Sequence, residues 1–153
     1  DGCFPFNISH SGKYVVLAYN TAENASSLGI DIEKIRVNLD YTSIANFFTP
    51  EEKEHLLVSG RKSFFELWSK KEALLKAIGT GVSKDKILSQ FNCLKTLTHY
   101  KGTNWFFVNV LIHDDYTCCL ASLEENPVLE LESDSPQDED NIEMRDENEA
   151  GND

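Results

Sequence analysis

The chain has 153 residues, in which 14 Lys and Arg residues stand against 26 Asp and Glu residues, for a formal net charge of -12. This length suits one domain and excludes a large multidomain enzyme. The surplus of acids is local: 13 basic and 13 acidic residues precede Glu124, whereas residues 124–153 hold 13 acids and one base, Arg145. Such a chain has no basic footprint for a phosphate backbone, so we expect no nucleic-acid partner.

Two further features of the composition concern the cellular setting. No apolar run approaches the roughly 20 residues that span a bilayer, and residues 1–10 lack the basic and apolar stretches of a secretory signal. We therefore expect no membrane partner. The cysteines Cys3, Cys93, Cys118 and Cys119 form no CxxC pair, and the adjacent last two should point to opposite faces of a strand. Reduced thiols of this kind predict a cytoplasmic protein.

The first elements in chain order are strands. Apolar stretches on both sides of Ser11-Gly12-Lys13 predict a hairpin over residues 4–19. After a polar loop, residues 28–33 alternate aliphatic and acidic positions, which predicts a strand with one buried face.

Three helices are predicted next. Apolar residues at helical spacing over 41–48, with Asp40 as the N-cap, predict a short helix. Residues 49–52, Thr-Pro-Glu-Glu, have the pattern of a capping box with proline at the first helical position, which predicts a second helix to about Ser59. The longest periodic stretch, residues 64–78, predicts a long helix that ends at the following glycine.

The last part of the chain divides into a strand-rich region and an acidic tail. Four stretches rich in β-branched and aromatic residues predict a β-meander; they are residues 87–91, 94–100, 105–113 and 117–123. Residues 126–153 hold few aliphatic and no aromatic side chains, so the tail should be disordered. The predicted fold class is α+β, with a long helix packed across an antiparallel sheet.

Asp31 and Glu33 are the first candidates for chemistry. The strand period of two places Ile30 and Ile32 in the core and both carboxylates on the opposite face, where two like charges repel unless a cation joins them. A hard divalent ion such as Mg²⁺ prefers carboxylate oxygens and suits this pair. The alternative interpretation is the solvent face of an edge strand, where this alternation is common.

The long helix adds charged candidates. Trp68, Glu72 and Lys76 lie at i, i+4 and i+8 and form a ridge down one side, with Lys71 beside Glu72. Glu72 could be a third ligand for the ion and Lys76 a counter-charge for a phosphate. The alternative is an ordinary surface ion pair beside a core tryptophan.

The hairpin bend could also bind an anion. Residues 7–12 combine small hydrogen-bonding side chains, one imidazole and a glycine, at a place where backbone amides can face an anion. His10 could donate to a phosphate oxygen, although a histidine near a turn can equally be a surface residue. His55, His99 and His113 have no partner at metal-ligand spacing.

Four blocks occur in a fixed order: FNISHSG at 6–12, GIDIE at 29–33, FFTPEE at 47–52 and WSKKEALLKAIGTG at 68–81. Together they resemble the signature of the phosphopantetheinyl transferases, in particular the two-lobed type. The resemblance implies Mg²⁺-dependent transfer of 4'-phosphopantetheine from coenzyme A to a serine of an acyl or peptidyl carrier protein, the holo-acyl-carrier-protein synthase reaction.

The resemblance also implies roles for individual residues. It places Asp31, Glu33 and Glu72 around the metal, Lys76 near the reacting phosphates, and Ser9 and His10 against coenzyme A, at its 3'-phosphate. The serine proton would go to Glu72 or Glu52. The capping box offers Glu52 a sufficient structural role as well.

The same resemblance implies a division of the chain. Residues 1–27 would be the terminal hairpin of a first lobe that this chain lacks, 28–123 a complete C-terminal lobe, and 124–153 the acidic tail. The first lobe would supply basic residues that bind the coenzyme, and this chain lacks them. Two alternatives to a transferase therefore stay open. One is a non-catalytic remnant or fragment that binds a carrier domain without transfer, and the other is a simple divalent-ion-binding module.

Overall fold

A computed structural model describes residues 3–23, 25–79 and 87–133. This part of the chain forms one long helix and six strands, and all strand pairs are antiparallel. The strands are β1 (Phe6–Ser11), β2 (Tyr14–Tyr19), β3 (Leu28–Lys34), β4 (Leu97–Tyr100), β5 (Thr103–Asn109) and β6 (Tyr116–Ser122). β1 and β2 form a sheet of their own, and the other four follow the order β3-β6-β5-β4. The predicted α+β class is confirmed.

The predicted hairpin is formed by β1 and β2, which a two-residue turn at Gly12 joins. Gly12 has a φ of 56°, a left-handed conformation that glycine adopts without strain. One face of the hairpin packs against β3 and β6 through Tyr14, Val16 and Ala18. The other face is the apolar outer face, in which five large side chains are 55% to 69% exposed: Phe6, Ile8, Val15, Leu17 and Tyr19.

Helix α1 (Pro50–Ile78) contains both of the longer helices that the sequence predicts. Its predicted capping box between Thr49 and Glu52 is present, and Gly60 interrupts the helical backbone with a φ of 82°. The predicted end near Ser59 is therefore confirmed, whereas the second segment begins before Phe64. The first turn after Gly60 contains Arg61, whose guanidinium donates to carbonyl oxygens of the loop after β3, a long-range contact that periodicity does not reveal.

The four-stranded sheet is covered on both faces. α1 packs on one face through a core that includes Phe64, Phe65, Leu74 and Cys119. The hairpin covers the other face, in a cluster that includes Ile30, Ile32, Cys118 and Leu120. Cys118 and Cys119 thus lie on opposite faces of β6, as predicted. The acidic face of β3 consequently lies under α1 and not in solvent.

Some predicted elements have other bounds. The stretch 87–91 is not a strand but contains a short 3-10 helix, Leu88–Gln90, and the short helix predicted over 41–48 is a 3-10 helix, Thr42–Phe47. In the stretch 87–91, two backbone carbonyl oxygens, those of Leu88 and Phe91, accept hydrogen bonds from the ammonium group of Lys71 and not from a neighbouring strand. Of the tail, residues 124–133 contain no helix or strand, and the disorder predicted for 134–153 lies outside the described residues. No described helix has the length and apolar character needed to cross a membrane.

Candidate active site

Three polar side chains of β1 bind the free edge of β3. Acceptor atoms of Asn7, Ser9 and Ser11 receive hydrogen bonds from the backbone N–H groups of Ile30, Ile32 and Lys34, at 2.9, 3.2 and 2.9 Å respectively. Successive donors and acceptors are two residues apart on both strands, because side chains and edge N–H groups alternate with the strand period. We call these three contacts the side-chain ladder. It satisfies an edge that would otherwise leave buried donors unpaired.

Asp31 lies at the middle of this ladder and is only 4% exposed. Its Oδ1 atom accepts hydrogen bonds from the hydroxyl of Ser9 at 3.2 Å and from Nζ of Lys76 at 3.0 Å. Lys76 also donates to the carbonyl oxygen of Ile30 at 3.0 Å. The Oδ2 atom is buried and has no hydrogen-bond partner within the described part of the chain. The alternative of a solvent-exposed carboxylate is therefore wrong for Asp31.

Two more carboxylates lie within electrostatic reach of Asp31. Burial raises the pKa of Glu33 to about 7, and the negative charges of Asp31 and Glu72 add to the shift. Burial likewise raises the pKa of Asp31, against the opposing effect of Lys76, and the charge of Glu72 raises it further. Glu72 itself is 6% exposed. Burial thus disfavours the charged forms of Asp31 and Glu33, as expected of carboxylates that lack enough positive charge beside them.

The contacts of the three carboxylates bear on whether they could hold Mg²⁺. Among the described residues, no group of three or more His, Cys, Asp or Glu side chains is already arranged to hold a metal ion. The positive charge beside Asp31 is the ammonium group of Lys76, at 3.0 Å. However, Oδ2 of Asp31 has no hydrogen-bond partner among the described residues and the pKa of Glu33 is raised, and both observations indicate acidic groups that a hard cation would stabilise. The donor set therefore fits Mg²⁺.

Close packing of α1 on β3 places the helical and strand residues together. The Ser27 hydroxyl, just before β3, donates to the carbonyl oxygen of Ala77 in the last turn of α1. Two turns before Lys76 on the same helix, Trp68 packs against the rings of Phe47 and Phe64. These contacts hold both ends of this helical segment, and Glu72 and Lys76 lie near Asp31 of the strand.

Glu52 lies in a different environment, in which both of its oxygens are occupied. Oε2 binds Nζ of Lys71 at 2.7 Å and accepts from the Thr49 N–H, and Oε1 accepts from the Cys93 N–H at 2.7 Å. Both charged side chains of this pair are 0% exposed. The structure therefore gives Glu52 a structural role and does not bring it to the Asp31 cluster.

Ser9 and His10, predicted together, point in opposite directions. Ser9 is 6% exposed and faces Asp31. His10 is exposed and, in the register of β1 with β2, pairs with Val15 on the apolar outer face. Sequence reasoning missed the ladder, although the alternation Asn-x-Ser-x-Ser in FNISHS was a visible signal for it.

A cavity of about 140 Å³ lies between α1 and the end of β5 with the start of β6. Its lining includes Lys62, Glu66, Asn109 and Thr117, and none of the predicted site residues. The candidate site, formed by side chains of β1, β3 and α1, is therefore separate from this cavity.

The sequence model of the 4'-phosphopantetheinyl transferase superfamily matches residues 27–134, which is more than half of the chain. The chain belongs to this superfamily. The matched range contains Asp31, Glu33, Glu72 and Lys76, and the resemblance drawn from the four blocks is confirmed. These four residues, which lie together between β3 and α1, therefore form the candidate active site of this superfamily member.

Individual relatives give the same family. The chain is 42% identical over 84 residues to the 4'-phosphopantetheinyl transferase psf-1 of Bacillus pumilus, a match that covers 52% of this chain and 34% of psf-1. It is 40% identical over 84 residues to HetI of a Nostoc species, with the same coverage of 52% and 34%. It is 37% identical over 83 residues to Sfp of Bacillus subtilis, covering 51% and 34%. The matches thus span about a third of the length of these relatives.

Proposed function

We propose that this superfamily member transfers 4'-phosphopantetheine from coenzyme A to a serine of an acyl or peptidyl carrier protein, and that the reaction depends on Mg²⁺. The observation that carries the proposal is the buried Asp31, whose Oδ2 has no partner within the described residues and which lies beside two further carboxylates. The names of the relatives, all 4'-phosphopantetheinyl transferases, support the reaction class.

In this proposal Asp31, Glu33 and Glu72 hold the metal ion. When bound, Mg²⁺ supplies positive charge to the pyrophosphate of coenzyme A, on which negative charge grows as the bond breaks. Deprotonated carboxylates are required for this binding. The raised pKa of Glu33, about 7, therefore predicts stronger ion binding above neutral pH than below it.

The chain's own residues handle the proton and the phosphate charge. The serine oxygen forms a bond to the phosphorus that carries the pantetheine arm, and the bond from that phosphorus to the bridging oxygen breaks, so that adenosine 3',5'-bisphosphate leaves. Glu72 accepts the serine proton as general base. Lys76, whose side chain is 29% exposed and lies beside Asp31, donates to the phosphate oxygens. Glu52 takes no part, because the capping box, Lys71 and Cys93 occupy its oxygens.

We also propose that His10 binds the 3'-phosphate of coenzyme A from the outer side of β1. Its exposure supports this role, because the imidazole is accessible to a ligand.

The apolar outer face of the hairpin supports the proposed division of the chain into a hairpin over 1–27, a lobe over 28–123 and an acidic tail. Five large apolar side chains that are more than half exposed are typical of a surface that further protein covers, such as a first lobe.

A cytoplasmic location is proposed on the state of the cysteines. All four are free, and three of them are buried. Reduced thiols fit a reducing compartment, in which coenzyme A and carrier proteins would be the partners.

The test is to incubate the chain with an apo carrier protein, coenzyme A and Mg²⁺, and to weigh the carrier by mass spectrometry. We expect the carrier to gain the mass of one phosphopantetheine group, and we expect Asp31→Ala to abolish that gain. Asp115→Ala is the matched control, because Asp115 has a 76% exposed side chain and lies outside the cluster. Carrier binding without a mass gain would instead support the non-catalytic alternative, and ion binding without either would support a simple metal-binding module.

A further inference from the structure

We propose that Ser9 is a positioning residue for Asp31: its hydroxyl fixes Oδ1 of the carboxylate and so leaves Oδ2 to the metal ion. The inference rests on the proposed function, because it assigns to Ser9 a part in building the metal site. It differs from the role that the resemblance implied, in which Ser9 contacts the coenzyme directly.

Ser9 differs from the other two members of the side-chain ladder in the number of its contacts with β3. Asn7, Ser9 and Ser11 each accept one hydrogen bond from a backbone N–H group of β3. Ser9, the middle member, also donates to a side chain of that strand, to Oδ1 of Asp31 at 3.2 Å. A serine hydroxyl has one hydrogen to donate and lone pairs to accept with, so both contacts can be made at once.

Two hydrogen-bond donors fix the orientation of the Asp31 carboxylate. Oδ1 receives hydrogens from two directions, from Ser9 on β1 and from Lys76 on α1. Two donors on one oxygen restrict rotation about the last bond of the side chain, and they leave Oδ2 as the acceptor without a partner among the described residues. In metal sites, groups that hydrogen-bond a ligand in this way set its direction and its affinity for the ion.

The two donors to Asp31 differ in whether they can also bind the substrate. Lys76 is 29% exposed and is the residue proposed to reach the phosphates of the substrate. The Ser9 hydroxyl donates its one hydrogen to Asp31 and accepts from the N–H of Ile32, so it has no hydrogen left to donate to a ligand. Ser9 is therefore the donor that can stay on Asp31 when Lys76 moves to the substrate. Of the neighbouring pair Ser9 and His10, only His10 is left to touch the coenzyme.

The experiment compares Ser9→Ala with Ser11→Ala and uses Mn²⁺ alone as the probe ion, followed by calorimetry or electron paramagnetic resonance. Both variants remove one hydroxyl that accepts from a β3 N–H, and urea unfolding should show a larger loss for Ser9→Ala, which is buried and also loses the contact with Asp31. Ser9→Ala should also weaken Mn²⁺ binding by about tenfold, the usual effect of removing a group that supports a metal ligand. Ser11→Ala should change it less than about twofold, and Ser9→Thr, which keeps the hydroxyl, should restore most of the affinity.

Several outcomes separate this inference from the proposed function. If the unchanged chain binds Mn²⁺ and Ser9→Ala binds it as well as Ser11→Ala does, Ser9 does not position Asp31, although the metal site stands. If the unchanged chain binds no Mn²⁺, the metal site of the proposed function is wrong and the role of Ser9 falls with it.

A second measurement does not need the ion. If Ser9 acts through Asp31, Ser9→Ala should shift the urea midpoint less in an Asp31→Ala background than in the unchanged chain. Additive shifts would overturn the proposal. If Ser9→Ala does not fold, Ser9→Cys, which has a weaker donor, replaces it in both comparisons.

Discussion

Gly29 of β3 lies directly against the backbone of α1 at Ala73. A Cβ atom on Gly29 would overlap the carbonyl oxygen of Ala73 and would come within 2.6 Å of the backbone nitrogen of Ala77. The neighbouring residues cannot yield at low cost, because the obstructing atoms belong to a helix backbone. The missing side chain is thus the reason that α1 can approach β3 closely enough for Lys76 to reach Asp31.

We predict that Gly29→Ala will separate α1 from β3. Overpacking of this kind typically costs about 1–3 kcal/mol, so the free energy of unfolding in urea should fall by about that amount. Mn²⁺ binding should weaken as well, because Glu72 and Lys76 move away from Asp31. Gly60→Ala is the control, since a Cβ there meets no atom within 4 Å and its cost is limited to backbone strain at a φ of 82°. Equal Mn²⁺ affinities in the two variants would contradict the prediction.

The buried pair of Glu52 and Lys71 leads to a stability prediction. Glu52→Gln leaves Lys71 charged at a position that is 0% exposed, and should lower the free energy of unfolding by about 3–5 kcal/mol. The double variant Glu52→Gln/Lys71→Met should recover part of this loss, because it removes the unpaired charge. Glu54→Gln, at an exposed position of the same helix, should change the stability by less than about 0.5 kcal/mol.

The same double variant tests the part of Glu52 in the reaction. With the fold retained, it should still modify the carrier protein, since Glu72 and not Glu52 is the proposed base. A stable double variant that transfers nothing would point to a direct role for Glu52.

Lys76 offers a prediction in which rate and ion binding separate. Lys76→Met removes the donor to the phosphates, so the rate of carrier modification should fall by at least about tenfold. Mn²⁺ binding should be unchanged or tighter, because the Ser9 hydroxyl still holds Oδ1 of Asp31 and a positive charge 3.0 Å from Asp31 disfavours a second cation. Lys70→Met, on the same helix but bound to the carbonyl oxygens of Cys93 and Lys95, should have neither effect. Weaker Mn²⁺ binding in Lys76→Met would show that Lys76 helps to build the ion site.

The cysteines predict a loss of stability at alkaline pH. Burial raises the pKa of Cys93 and of Cys118 to about 12, and it raises that of Cys119 as well. An unfolded thiol loses its proton near pH 8.5, so above that pH the unfolded state binds fewer protons than the folded state and stability falls as the pH rises. Urea midpoints between pH 7 and 10 measure this slope, which should be shallower in Cys93→Ala. Identical slopes would contradict the assignment.

The exposure of the same thiols can be checked chemically. A thiol reagent at pH 8 should modify only the exposed Cys3 rapidly in the native chain, and all four cysteines in denaturant. Rapid reaction of a second native thiol would show that one of the three buried cysteines is accessible.

Local patterns predicted the elements that local interactions determine. The alternation through Asp31 gave its strand correctly, and the capping box at Glu52 gave the start of α1, because both signals depend on neighbouring residues alone. The elements that were predicted wrongly depend on long-range contacts. The ammonium of Lys71 satisfies the carbonyl oxygens of Leu88 and Phe91, so the apolar run there has no need of a strand partner. No spacing in the sequence indicates such a contact.

The candidate site shows the same limit. The strand period correctly separated the acidic from the aliphatic side of β3, but it could not say that α1 would cover the acidic side. It also left open the direction of Ser9, whose neighbour His10 faces away from the cluster. Which of two adjacent residues meets Asp31 depends on how the hairpin docks, and docking is determined by tertiary packing.

The side-chain ladder has a consequence for strand exchange and peptide capture. Side chains of β1 accept hydrogen bonds from the N–H groups of Ile30, Ile32 and Lys34. An extended peptide therefore has no free N–H donors to pair with along this edge of β3. An added strand would instead pair with the opposite edge of the four-stranded sheet, the short strand Leu97–Tyr100.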